Sequence, residues 1–132
     1  MTSIADAKRF AALMDDNQYI EAGKLMADDC RYTYHGNVII GRDAILKTYI
    51  DNYQAALKKL DEIEFISEVE QLDEKKFKLK YLDRIRKGQN HHNHRCEQVI
   101  YFKNNQIIEI EHFDLPGENE ALQEFYKRSG LK

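Results

Sequence analysis

Proline occurs once in this chain, at Pro116, and no low-complexity stretch interrupts it, so nothing marks a linker or a domain boundary. Cysteine occurs twice, at Cys30 and Cys96. Two lone thiols set no disulfide framework and read as small buried apolar side chains. No apolar run approaches the roughly 18 residues a membrane span needs, and the opening MTSIADAKRF lacks the apolar core of a signal peptide. Positive charge is not in excess either: the net charge is -3, which argues against a partner held through its phosphates. A phosphate loop and a dinucleotide fingerprint are both missing. These absences leave one domain over residues 1–132, expected in the cytoplasm, with no nucleic-acid or membrane partner.

What is present is enough for one real core: 132 residues, 42% of them apolar and 33% charged. Ser3 and Asp6 form a helix start, and Ile4, Ala7, Phe10, Ala11 and Met14 recur at helical spacing. The polar corner Asp15-Asp16-Asn17 separates this helix from a second, carrying Tyr19, Ile20, Ala22, Leu25 and Met26. Short strands follow at Cys30–Tyr34 and Val38–Ile40, with His35-Gly36-Asn37 turning between them. Gly41-Arg42-Asp43 opens a longer helix ending near Lys58-Lys59, where positive charge suits the dipole. From Glu62 to Asp114 the alternation is that of strands, and a last helix carries Leu122, Phe125 and Tyr126. Helices set apart from a run of strands predict an α+β fold, an antiparallel sheet with helices on one face.

Turn chemistry aligns the strands. Gly88-Gln89 suits a two-residue turn, which sets Asp83 opposite His94, Tyr81 opposite Cys96 and Leu79 opposite Gln98. Lys103-Asn104-Asn105 fits a three-residue loop, which sets His94 opposite Asp114, Cys96 opposite His112 and Gln98 opposite Ile110. Phe77, Leu79, Tyr81 and Ile85 mark the buried face, so Asp83, His94, Cys96, Gln98, His112 and Asp114 are all expected indoors, with His94 between two carboxylates. One bulge would send half of these side chains outward.

The helix pair ending in LMADDCRYTYHG, the step VIIGRDAILKTY and the hairpin VIYFKNNQIIEIEHFD together resemble the nuclear transport factor 2-like superfamily, which includes ketosteroid isomerase, scytalone dehydratase and the SnoaL-like polyketide cyclases. The resemblance covers essentially the whole chain. It implies a cystatin-like roll: a curved sheet wrapped into a cone, closed by N-terminal helices around a pocket, and a frequent homodimer through the outer sheet face. The protonated acid of ketosteroid isomerase would fall on Gln98, its general base near Tyr32 or Tyr34, and its oxyanion-hole tyrosine near Phe10 or Met14; none is retained, which argues against that isomerase reaction. Asp114, closing the last strand, is similar to the acidic residue of the polyketide cyclases. Tyr32, Tyr34, His94 and His112 are similar in kind to the pocket of scytalone dehydratase.

The candidate catalytic residues are therefore His94, Asp114, Asp83 and His112, since a carboxylate beside an imidazole orients the ring and burial separates carboxyl pKa values. The same row would equally serve as a buried hydrogen-bonded network. Tyr32, Tyr34, Tyr49, Tyr53, Tyr81, Cys96 and Gln98 are candidates for holding a small molecule of partly aromatic character, or for core. His92 and His94 share a face, and with His112 or Asp114 would give three zinc-type ligands; no metalloprotein spacing supports this, so no metal is expected. Cys96 beside His112 has the elements of a thiol nucleophile, although a small buried thiol is the simpler reading. The outer face offers Leu82, Val99, Tyr101 and Phe113 ringed by Arg84, Arg95, Glu97, Glu109 and Glu111, which suits an isologous dimer. The function expected is that of a cofactor-independent lyase, isomerase or cyclase, or else of a ligand-binding or dimerisation module without catalysis.

Overall fold

The computed structural model describes residues 4–131. Its elements run α1 (Ile4–Asp15), α2 (Tyr19–Gly23), β1 (Met26–Tyr34), β2 (Asn37–Ile40), α3 (Arg42–Lys59), β3 (Glu62–Gln71), β4 (Lys76–Lys87), β5 (Asn90–Lys103), β6 (Gln106–Asp114) and α4 (Glu118–Arg128). The expected order of helices and strands is reproduced; Ser3, read as a helix start, lies outside the described residues. Six strands make one curved sheet in the order β2-β1-β6-β5-β4-β3, open at both edges. One pairing departs from the antiparallel expectation: β1 runs parallel to β6, with Tyr32 beside Ile110.

Two element boundaries differ from their expected places. The second helix ends at Gly23 and does not reach Met26, which starts β1 opposite Ile107. Gly23 is where α2 meets α3 closely, since a Cβ there would stand 2.6 Å from Leu46 Cδ1. Between β2 and α3 the chain passes through Gly41 at φ 106° and ψ 131°, a conformation essentially restricted to glycine. Gly41→Ala is accordingly expected to cost about 1–3 kcal/mol, read as a lowered urea midpoint; an unchanged midpoint would remove the argument.

The core fills one end of the curved sheet. Phe10 of α1, Met26, Ile45, Phe77, Leu79, Ile100, Phe102, Ile107 and Ile110 are buried there, with Phe77 and Phe102 edge to face at 5.7 Å. A smaller cluster of Leu60, Ile85 and Phe125 sits under α4. Along the inner face of β4, Phe77 and Leu79 belong to the first cluster and Ile85 to the second. Tyr81 and Asp83 occupy the stretch between, where neither cluster fills the space. Both residues line a cavity.

The first hairpin has the expected register, Asp83 opposite His94, Tyr81 opposite Cys96 and Leu79 opposite Gln98. The second does not. Its turn has two residues, Asn104 and Asn105, both left-handed at φ 53° and 64°, and an irregularity between Tyr101 and Phe102 skips Ile108 on β6. Each change shifts the pairing by one residue. Together they shift it by two, so the inner face is preserved while the partners change: Cys96 lies opposite Asp114, Gln98 opposite His112 and Ile100 opposite Ile110.

Candidate functional site

A cavity of about 280 Å³ opens between the sheet and the helices. Its wall is built by Met14 and Asp15 from α1, Tyr19 from α2, Tyr32 from β1, Tyr49, Asn52, Tyr53 and Ala56 from α3, Phe65 from β3, Tyr81 and Asp83 from β4, Cys96 and Gln98 from β5, and His112 from β6. The rings brace one another. Tyr19 stacks on Tyr49 at 6.2 Å, Tyr32 meets Tyr49 edge-on at 5.8 Å, and Tyr53 packs on Phe65 at 5.8 Å. Such packing holds the wall open in one shape at little entropic cost.

Asp83 stands on this wall among apolar and aromatic neighbours. Burial, with the charge of Asp15 adding to it, lifts its carboxyl to about 7. Asp15 is itself raised, by burial first and by Asp16 in addition, against the hydrogen bond from Ser67 Oγ to its Oδ2 at 2.5 Å. Among the described residues, four buried side-chain atoms have no hydrogen-bond partner: Asp15 Oδ1, Tyr81 Oη, His92 Nε2 and His94 Nδ1. The first two belong to residues of the cavity wall, and buried polar atoms left unmatched are costly unless something else satisfies them.

Beside the acids runs a directed chain of hydrogen bonds. The Tyr49 hydroxyl donates to Gln98 Oε1 at 3.2 Å, and Gln98 Nε2 donates to His112 Nδ1 at 3.2 Å. With Nδ1 accepting, His112 carries its proton on Nε2 and donates to Asp114 Oδ1 at 3.1 Å. Burial lowers the His112 pKa and outweighs the raising effect of Asp114, so the ring is neutral at pH 7. Asp114 Oδ2 also receives Tyr34 Oη at 2.9 Å, His35 Nε2 at 2.6 Å and Asn119 Nδ2 at 3.0 Å. Burial pushes Asp114 up, but these donors together hold it below the ordinary carboxylate value.

Of the residues expected at a catalytic centre, Asp83 and His112 line the cavity and His94 and Asp114 do not. The shift of the second hairpin separates Asp114 from His94. His94 faces Asp83 across β4 and β5, but Asp114 has moved down to Cys96, so no imidazole sits between two carboxylates. Among the residues expected to hold a ligand, Tyr32, Tyr49, Tyr53, Tyr81, Cys96 and Gln98 line the cavity, whereas Tyr34 is exposed and turned to Asp114. Burial pushes the Cys96 thiol up to about 12, which keeps it protonated and opposes a thiolate nucleophile. The His92 ring stacks on Phe125 at 5.4 Å. Among the described residues no group of three or more His, Cys, Asp or Glu side chains is arranged to hold a metal ion.

Sequence reasoning missed three residues here. Asp15 looked like part of a polar corner, yet it follows Ala11 by four positions and so shares the inner face of α1. Tyr19 was expected on a helix without a role. His35 looked like a turn residue; at φ 50° it folds back onto Asp114 because β1 lies next to β6.

No family model matches the chain, and no curated protein matches it significantly. Solved structures do, at low identity. TerC, crystallised with polyporic acid, superposes with a TM-score of 0.69 at 12% identity, covering 94% of this chain and 97% of that one. A protein of ketosteroid isomerase-like fold from Catenulispora acidiphila, in complex with trimethylamine, gives 0.68 at 13% identity over 99% and 96% of the two chains. A protein described as a SnoaL-like polyketide cyclase, from Mesorhizobium loti, gives 0.58 at 20% identity over 86% and 99%. The chain thus has the nuclear transport factor 2-like, ketosteroid isomerase-like fold.

Proposed function

We propose that the cavity receives a small organic molecule of partly aromatic or apolar character. The protein then acts on it by acid–base chemistry, without a cofactor, as a lyase, isomerase or cyclase. The observation that carries this reading is Asp83: a carboxyl held at about 7 on the wall of a tyrosine-lined cavity. A group with that pKa takes and returns a proton at neutral pH, the property a general base needs. The Tyr81 hydroxyl lies two residues away on the same face of β4, is buried and has no partner. It is the donor for an oxygen on which negative charge develops. His112, fixed by Gln98 and Asp114, shapes the wall and keeps its proton on the nitrogen turned away from Gln98. The role first sought in His94 passes to Asp83. Structural relatives crystallised with polyporic acid and with trimethylamine support a pocket for small organic molecules.

The outer sheet face supports a homodimer. Phe113 is 41% exposed there, Leu82 and Tyr101 are half-buried, Val99 is buried, and charges of both signs surround them. Two free thiols, Cys30 and Cys96, fit a reducing compartment such as the cytoplasm.

Acid–base capacity is tested without knowing the natural substrate. Small aromatic ketones are incubated with the protein in heavy water, and exchange at the carbon beside the carbonyl is followed by NMR. The wild type is expected to exchange at least one of them roughly a hundredfold faster than Asp83→Asn. Tyr81→Phe is expected to lose roughly tenfold or more. Equal exchange by wild type and Asp83→Asn for every ketone that binds would end the catalytic reading and leave the ligand-binding module.

A further inference from the structure

The charge of the cavity wall is one-sided. Among the described residues that line it there is no lysine or arginine, although the chain has 20 of them. The ionisable groups that do line it are two carboxyls, a thiol, phenols and one imidazole, whose Nδ1 accepts from Gln98 and so carries no proton. An anionic ligand would find no counter-charge here.

Three features of the wall share one sign. Tyr19, Tyr32, Tyr49, Tyr53, Phe65 and Tyr81 supply aromatic surface whose ring faces carry negative charge density. Asp15 and Asp83 arrive from different elements, α1 and β4, and both line the space. Asp15 also closes the C-terminal end of a 12-residue helix with no basic residue in its last turn, so the helix dipole adds negative potential where the carboxylate already sits. A carboxylate at that position is unfavourable twice over, by dipole and by burial, and its Oδ1 has no partner in the fold. Ser67 satisfies the other oxygen alone. The neighbouring Asp16 is exposed.

We propose that the occupant is an organic monocation, an amine or quaternary ammonium on an apolar or aromatic body, with its positive nitrogen held between Asp15 and Asp83 and its body against the tyrosines. This deepens the reading above and rests on it, since it assumes that the cavity takes a small organic molecule at all. It assigns Asp15 a binding role as the group that meets the cation. The buried, unmatched oxygen of Asp15 gains its partner on binding, and the rings surround the remaining alkyl or aryl surface.

Three probes of one shape and different charge test it: phenethylamine, protonated at pH 7, 2-phenylethanol and phenylacetate, each titrated into the full chain by calorimetry. Phenethylamine is expected to bind roughly tenfold or more tighter than 2-phenylethanol, and phenylacetate weakest of all. In the isosteric Asp15→Asn/Asp83→Asn double variant the preference for the amine over the alcohol is expected to vanish. A cooperative urea transition reports that the variant is folded. If the alcohol binds wild type as tightly as the amine, or phenylacetate binds best, the cation assignment is overturned and the organic pocket survives. If none of the three binds, both fall.

Discussion

Asp83→Asn is expected to make the protein more stable at pH 8 than the wild type, by about 1–4 kcal/mol, while removing the proposed acid–base activity. An aspartate in an unfolded chain titrates near 3.9, and Asp83 in the folded protein at about 7. Between those values the folded state binds the extra proton. Stability from this group is therefore fullest below about pH 4, declines as pH rises toward 7, and is lowest above that. Three units of displacement correspond to at most about 4 kcal/mol, and relaxation of the cavity on ionisation reduces the figure. Asparagine keeps the shape, carries no charge and has no such slope. Urea unfolding at pH 5 and pH 8 separates the two proteins. Between these pH values the wild type should lose stability relative to the variant, in which Asp15 still lowers stability as pH rises while His92 and His112, depressed by burial, raise it. A variant less stable than the wild type at pH 8 would mean that the Asp83 carboxylate is satisfied inside the fold, which would also remove the reason to call it a base. Costly groups of this kind cluster at functional sites, and Asp83 lies on the cavity wall.

How much of this could be read from residues alone depends on whether a local or a distant contact decides. Gly88-Gln89 is a local device, so the first hairpin and the pairing of Asp83 with His94 were legible. The second hairpin failed in detail because Asn104-Asn105 suits either loop length and because a skip at Ile108 leaves only a faint trace, two consecutive isoleucines where alternation would place one. The inner face survived because two single-residue errors restore the phase, which keeps Cys96, Gln98 and His112 on the cavity wall. The helix order and the step from Ile40 through Gly41 into α3 were legible from turn residues and periodicity. Asp15 was not, because two adjacent aspartates look alike until the angle of α1 against β3 turns one of them inward, where it meets Ser67. His35 was not, because its partner lies 79 residues away across a parallel pairing that no local pattern announces.

Asp114 should behave as the opposite of Asp83. Its carboxylate receives four donors, from Tyr34, His35, His112 and Asn119, and is held below the ordinary range. Asp114→Ala leaves all four without an acceptor. Tyr34 and His35 are exposed and turn to water, whereas His112 and Asn119 are half-buried and lose a charge-assisted bond, so a cost of about 2–4 kcal/mol at pH 7 is expected. A carboxyl lowered in the fold stabilises at every pH above its unfolded value and loses that contribution as pH falls through the folded one. The gap between wild type and Asp114→Ala should therefore narrow below about pH 4, whereas the gain in Asp83→Asn shrinks over the range from 8 to 5. Without its acceptor, His112 Nε2 no longer holds the ring in place, and the chain through Gln98 to Tyr49 loses its far anchor. Tyr49 is also the ring on which Tyr19 and Tyr32 pack, so loosening it opens the aromatic wall. Asp114→Ala should thus weaken 2-phenylethanol and phenethylamine by the same factor, because it disturbs the shape of the cavity and leaves the charges of Asp15 and Asp83 in place. A loss confined to the amine would instead make Asp114 part of the cation site, and no loss of stability at pH 7 would show that the four donors find water as good a partner as the carboxylate.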